Sequence, residues 1–67
     1  MITLTVNGQL QRCEPGVSVS LLIESLRLGG KKVAVERNGE IVPRSRYGAT
    51  ALQDGDQLEI VVAVGGG

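Results

Sequence analysis

The residues best placed to do chemistry stand at the carboxyl end, where Val64-Gly65-Gly66-Gly67 takes an apolar run directly into three glycines and a carboxylate. Glycine has no Cβ and reaches backbone angles closed to other residues. Such a tail is slender enough to thread a narrow channel. Gly65 and Gly66 would pass through the slot, and the Gly67 carboxylate would arrive in another protein's active site. A carboxylate is a poor electrophile until it is activated, and an acyl-adenylate formed from ATP is the obvious route. Glycine also leaves the carbonyl open to an incoming nucleophile. The plainer alternative, a disordered end or a cloning remnant, is disfavoured because no polar linker separates the strand from the glycines.

The remaining chain offers little competing chemistry. It has no histidine and a single cysteine, Cys13, so a Cys-His or Ser-His-Asp group and a usual zinc site are excluded. Cys13 falls on an expected strand and reads as a small apolar residue. Arg44 and Arg46 flank Ser45 ahead of Tyr47, a small basic spot that could orient a partner or simply be a solvated loop. Gly29-Gly30-Lys31-Lys32 lacks the upstream glycine spacing of a phosphate loop and follows a helix instead of preceding one. ATP must therefore be bound by another protein, and this chain is expected to bind no cofactor or metal.

Size and charge narrow the rest. The 67 residues make one domain with a marginal core, which must be aliphatic because Tyr47 is the sole aromatic. Seven basic and seven acidic residues cancel, removing the positive field of a nucleic-acid binder. A lone cysteine agrees with a reducing compartment. Met1 leads straight into alternating apolar positions, and no apolar run approaches bilayer length. A cytoplasmic protein without membrane contact is expected.

Local patterns supply the elements that must hold the tail. Ile2, Leu4 and Val6 alternate with threonines, the period of a half-buried strand, and Asn7-Gly8 then marks a type I′ hairpin turn. The return strand runs over 9–14, with Leu10 expected inward. Ser18 is a plausible N-cap, and Val19, Leu22, Ile23 and Leu26 form a helical stripe over about 19–28. Arg27 is expected in the last turn and Gly29-Gly30 as the stop. Val33 and Val35 open a strand, Asn38-Gly39 repeats the hairpin signal, and Pro43 closes the strand at Ile41-Val42. A connection with one short helical turn leads to Asp54-Gly55-Asp56 and the final strand, Leu58 to Val64.

This order predicts an α+β roll, a four- to five-stranded sheet with one main helix. The two N-terminal strands and the last strand are expected centrally. Residues 1–64 form the domain and 65–67 a flexible tail. Leu58, Ile60, Val62 and Val64 share one face of the last strand, while Glu59, Val61 and Ala63 share the other. One helix covers one sheet face, so the second, unusually apolar face is a candidate docking surface, with Val61, Ala63, Glu59 and Arg44 as its residues. Plain β propensity explains the pattern equally well. Asp54, Asp56 and Glu59 are expected to place negative charge near the base of the tail.

Several segments together resemble a known family. They are the Asn-Gly turn, Glu-Pro-Gly-Val-Ser-Val-Ser-Leu-Leu at 14–22, Val-Ala-Val-Glu-Arg-Asn-Gly-Glu-Ile-Val-Pro-Arg at 33–44, Leu-Gln-Asp-Gly-Asp-Gln-Leu-Glu-Ile-Val at 52–61 and the closing Gly-Gly. The chain is similar over its whole length to ThiS, the ubiquitin-like sulfur carriers of thiamine biosynthesis. It departs from the pattern in a third glycine at Gly65 and in Tyr47, where a tryptophan is often found. The resemblance implies a β-grasp fold with a mixed sheet. It also implies that an E1-like (ThiF-like) adenylyltransferase, using ATP and Mg, activates the Gly67 carboxylate. Sulfur from cysteine, passed through a desulfurase persulfide, would replace AMP and leave a thiocarboxylate. A ThiG-like thiazole synthase would then take that sulfur for the thiazole ring. On this reading the chain is a cosubstrate, not an enzyme. The rivals are a small subunit of molybdopterin synthase and a noncovalent ubiquitin-like module with an inert tail.

Overall fold

Along the described residues the elements are β1 (Ile2–Val6), β2 (Gln9–Cys13), α1 (Val19–Ser25), β3 (Val33–Arg37), β4 (Glu40–Val42), a 3-10 turn (Arg44–Arg46) and β5 (Gln57–Val62). They belong to a computed structural model that describes residues 1–63. Val64, Gly65, Gly66 and Gly67, and with them the boundary expected between domain and tail, lie outside the described residues. The five strands form one sheet in the order β2-β1-β5-β3-β4. β1 and β5 are parallel, and every other neighbouring pair is antiparallel. With α1 crossing one face, this is the expected β-grasp roll.

Both hairpins follow from turn chemistry. Asn7 and Asn38 each sit at φ 51°, followed by Gly8 at 83° and Gly39 at 86°, the paired left-handed angles of a type I′ turn. The two-residue loop fixes register, pairing Val6 with Gln9 and Thr5 with Leu10. That register overturns one expectation. Leu10 points away from the core and is 75 % exposed, while Gln11 and Cys13 take the half-buried positions. β2 is also an edge strand, so only β1 and β5 of the three strands expected centrally lie inside the sheet.

The helix starts as its sequence suggests. Ser18 Oγ accepts a hydrogen bond from the Leu21 amide at 3.1 Å, capping α1. Val19, Leu22 and Ile23 are buried against Leu4, Val6, Val35, Val42, Leu52, Leu58 and Ile60. The helix ends earlier than the expected residue 28. Leu26 is the C-cap, and Arg27, at φ 61°, takes the left-handed position expected of a glycine. The Arg27 amide donates to the Glu24 carbonyl (2.9 Å) and the Leu28 amide to the Ile23 carbonyl (3.0 Å), a Schellman pattern. Leu28 packs on the core, so the chain must reverse just before it, ahead of both glycines. No helix of the described residues is long and apolar enough to cross a membrane.

Candidate functional site

The site is built around β5, because this strand runs into the tail. Leu58 and Ile60 are buried and anchor it to the core. On one side β5 pairs with β3 over five residues, from Arg37 opposite Leu58 to Val33 opposite Val62. The β1 side offers only Thr5 opposite Gln57 and Val6 opposite Leu58 before β1 turns away. There the Asn7 side chain continues the ladder. Its Nδ2 donates to the Ile60 carbonyl at 3.0 Å, and its Oδ1 accepts from the Ile60 amide at 2.8 Å. Sequence reasoning gave Asn7 only a turn role and missed this pin. The cue available was the preference for Asn over the equally permissive Gly at a first turn position next to a short parallel pairing.

The start of β5 is fixed by a second polar cluster. Asp56 is 7 % exposed, yet its carboxylate accepts from Arg37 Nε (2.8 Å), Asn38 Nδ2 (3.1 Å) and the Gln53 amide (2.8 Å). Burial pushes this carboxyl up. The hydrogen bonds from Gln53, Asn38 and Arg37, with the Arg37 charge, outweigh burial and hold it below the usual range. Asp54 Oδ1 accepts from the Thr3 amide at 2.7 Å, tying the turn to β1. These contacts correct the charge expectation. Asp54 and Asp56 precede β5, about 20 Å of strand at 3.3 Å per residue from Ala63, the last described residue, while Glu59 stands within β5 itself. Beside Ala63 stands Lys32, just before the antiparallel partner strand begins at Val33. The Ala63 amide donates to the Lys32 carbonyl at 2.8 Å.

The four candidate docking residues are not all brought together. Glu59, Val61 and Ala63 are exposed, with Glu59 and Val61 on the sheet face opposite α1. Arg44 is exposed but lines a groove with Ser20, Ile23 and Glu24 of α1, on the helix side. The 3-10 turn is followed by Tyr47, whose carbonyl accepts from the Ser20 amide of α1 at 3.0 Å, so Arg44 stands by the helix and not with Glu59 and Val61. Gly65, Gly66 and Gly67 lie outside the described residues. Cys13 is half-buried at the end of β2, and burial pushes its thiol up, away from the reactive thiolate. Among the described residues no group of His, Cys, Asp and Glu is arranged to hold a metal ion.

Comparison with known proteins fits this architecture. The ThiS family model matches residues 4–67. The chain is 34 % identical to the sulfur carrier protein ThiS of Escherichia coli (strain K12) over 61 residues, 91 % of this chain and 92 % of that one. It is 47 % identical over 64 residues, 96 % of its length, to a thiazole synthase of Paramagnetospirillum magneticum, of which it spans only 20 %. The crystal structure of thiamine biosynthesis protein ThiS from Geobacter metallireducens superposes with a TM-score of 0.83 at 35 % identity, covering 98 % of this chain and all of that one. Matched along nearly its full length by family model and by fold, the chain belongs to the ThiS family.

Proposed function

We propose that this chain carries sulfur for thiazole formation in thiamine biosynthesis, with the Gly67 carboxylate as its reactive group. The observation that carries the reading is β5: a core-anchored strand, held on both sides, whose last described residues lead straight into Val64 and three glycines. An E1-like adenylyltransferase holds ATP and Mg. A Gly67 carboxylate oxygen attacks the α-phosphorus of ATP, pyrophosphate leaves, and an acyl-adenylate forms. The terminal sulfur of a desulfurase persulfide, drawn from cysteine, attacks the acyl carbon and AMP leaves. A second thiol then cleaves the resulting acyl–S–S bond, is itself oxidised to a disulfide, and leaves a thiocarboxylate. Thiazole synthase takes that sulfur, and the carboxylate returns for another round. In the Paramagnetospirillum magneticum relative, a segment similar to this chain makes up 20 % of a protein named thiazole synthase, which supports that enzyme as the partner.

On this reading the chain supplies a rigid base, a slender arm and an end group, and the partners supply the catalysis. Intact-mass spectrometry after incubation with the adenylyltransferase, ATP, Mg, desulfurase and cysteine tests it. A gain of about 16 Da, oxygen replaced by sulfur at the acyl end, is expected. An unchanged mass would mean an inert tail and a noncovalent module.

A further inference from the structure

Both hairpin asparagines reach out of their turns to grip β5, from opposite sides and at different points. Asn38 takes the first residue of the strand. Its amide donates to the Gln57 carbonyl (2.7 Å), its Oδ1 accepts from the Gln57 amide (2.9 Å), and its Nδ2 donates to Asp56 Oδ1 (3.1 Å). Asn7 takes the strand further along. Its amide donates to the Leu58 carbonyl (2.9 Å), and its side chain holds both backbone groups of Ile60. Glycine is equally at home at these turn angles and offers the amide alone.

The Asn7 grip falls where β5 would otherwise lose a neighbour. On the β1 side the Asp56 and Leu58 carbonyls accept from the Thr5 and Asn7 amides, and Ile60 is next in that row. β1 ends at Val6, so its backbone does not pair with Ile60. Val62 follows on the same side and makes no hydrogen bond there among the described residues. Without the Asn7 side chain, Ile60 to Ala63 would be held by β3 and Lys32 alone. A two-stranded ribbon twists more than neighbouring strands inside a wider sheet. Ile60 stands three residues before Ala63, about 10 Å of strand, so a change of twist at Ile60 swings the point from which the tail departs.

We propose that Asn7 is a positioning residue, whose side chain fixes the direction in which β5 delivers the tail. A partner then meets an aimed arm and does not have to order one. Ordering chain on binding costs affinity and leaves the chemical step untouched. The proposal rests on the carrier reading for the reaction it serves. It does not depend on which partner takes the tail, because the grip lies within this chain.

The test compares the full chain with Asn7→Gly, Asn7→Asp and Asn38→Gly, each assayed well below its thermal midpoint. Asn38→Gly is the control, since it loses a matching set of side-chain bonds at the end of β5 away from Ala63. The first readout needs no partner. Backbone NMR order parameters of Val61 and Val62 should fall in Asn7→Gly from the rigid range, about 0.85, toward about 0.6, and stay in that range in Asn38→Gly. The second is pyrophosphate release by the adenylyltransferase with ATP and Mg, measured against carrier concentration. Asn7→Gly should raise KM for the carrier about five-fold with kcat unchanged, the cost of ordering a residue or so of backbone. Asn38→Gly should match wild type, although both variants lose stability. Asn7→Asp keeps the turn angle but has no donor for the Ile60 carbonyl, so its KM should rise too; it carries the test if the glycine variant does not fold. Order parameters unchanged at Val61 and Val62, or equal KM values for the Asn7 variants and Asn38→Gly, would overturn the positioning role alone. No pyrophosphate from the wild type at any concentration would overturn the carrier reading, and the aiming of its tail with it.

Discussion

At the residue scale, two side chains do more than their types announce. Asn7 holds a left-handed turn angle and also grips both backbone groups of Ile60. Glycine satisfies the angle but not the grip. Asn7→Gly is therefore expected to destabilise the fold by about 1–2 kcal/mol, the worth of two hydrogen bonds, read as a lower urea midpoint at unchanged slope. Asp56 sets the acid limit. Its carboxyl is depressed in the fold, while an unfolded aspartate titrates near about 3.9. Its contribution is thus complete above the unfolded value and lost as pH falls through the folded one. In Asp56→Asn the stability deficit against wild type, measured by urea unfolding, should shrink as pH is lowered from 7 to 3.

At the scale of elements, the end of α1 offers the sharpest prediction. Arg27 holds φ 61° at the C′ position, where a Cβ is strained and glycine is not. Arg27→Gly should raise stability by about 0.5–1 kcal/mol, after the greater freedom of glycine in the unfolded chain is set against the strain relieved. A lower thermal midpoint would refute this account of the cap. The same region shows what could be read beforehand. Periodicity marks β1, β3, β5 and the helix start, the two Asn-Gly turns mark β2 and β4, and Ser18 caps the helix as its type suggests. Gly29-Gly30 drew the expected helix end too far, because the stop is set by the need to bury Leu28. Leu10 was expected inward because it is the apolar residue of its strand, although a two-residue turn after an inward Val6 already forces it outward. Residue type alone groups Arg44 with β5, but Arg44 lines a groove with Ser20, Ile23 and Glu24 of the helix.

At the scale of the whole molecule, β5 is held on both sides, by β3 along its length and by β1 at its start and the Asn7 side chain at Ile60. The chain's own fold was legible because hairpin turns, helical stripe and final apolar run are local signals. The electrostatic layout was not. It depends on the antiparallel pairing that brings Lys32 to Ala63 and leaves Asp54 and Asp56 at the far end of β5. Gly66→Val should leave thermal unfolding within experimental error of wild type yet abolish the mass gain with the activating partners, since a β-branched side chain cannot pass a slot sized for glycine. The central claim is that Gly67 bears the sulfur that enters the thiazole. Its most direct measurement is a single turnover of thiazole synthase supplied with the carrier loaded from isotopically heavy cysteine sulfur. The account predicts one heavy sulfur in the thiazole per carrier consumed, and none from a chain lacking Gly67. Normal heavy-sulfur incorporation with that shortened chain would contradict it.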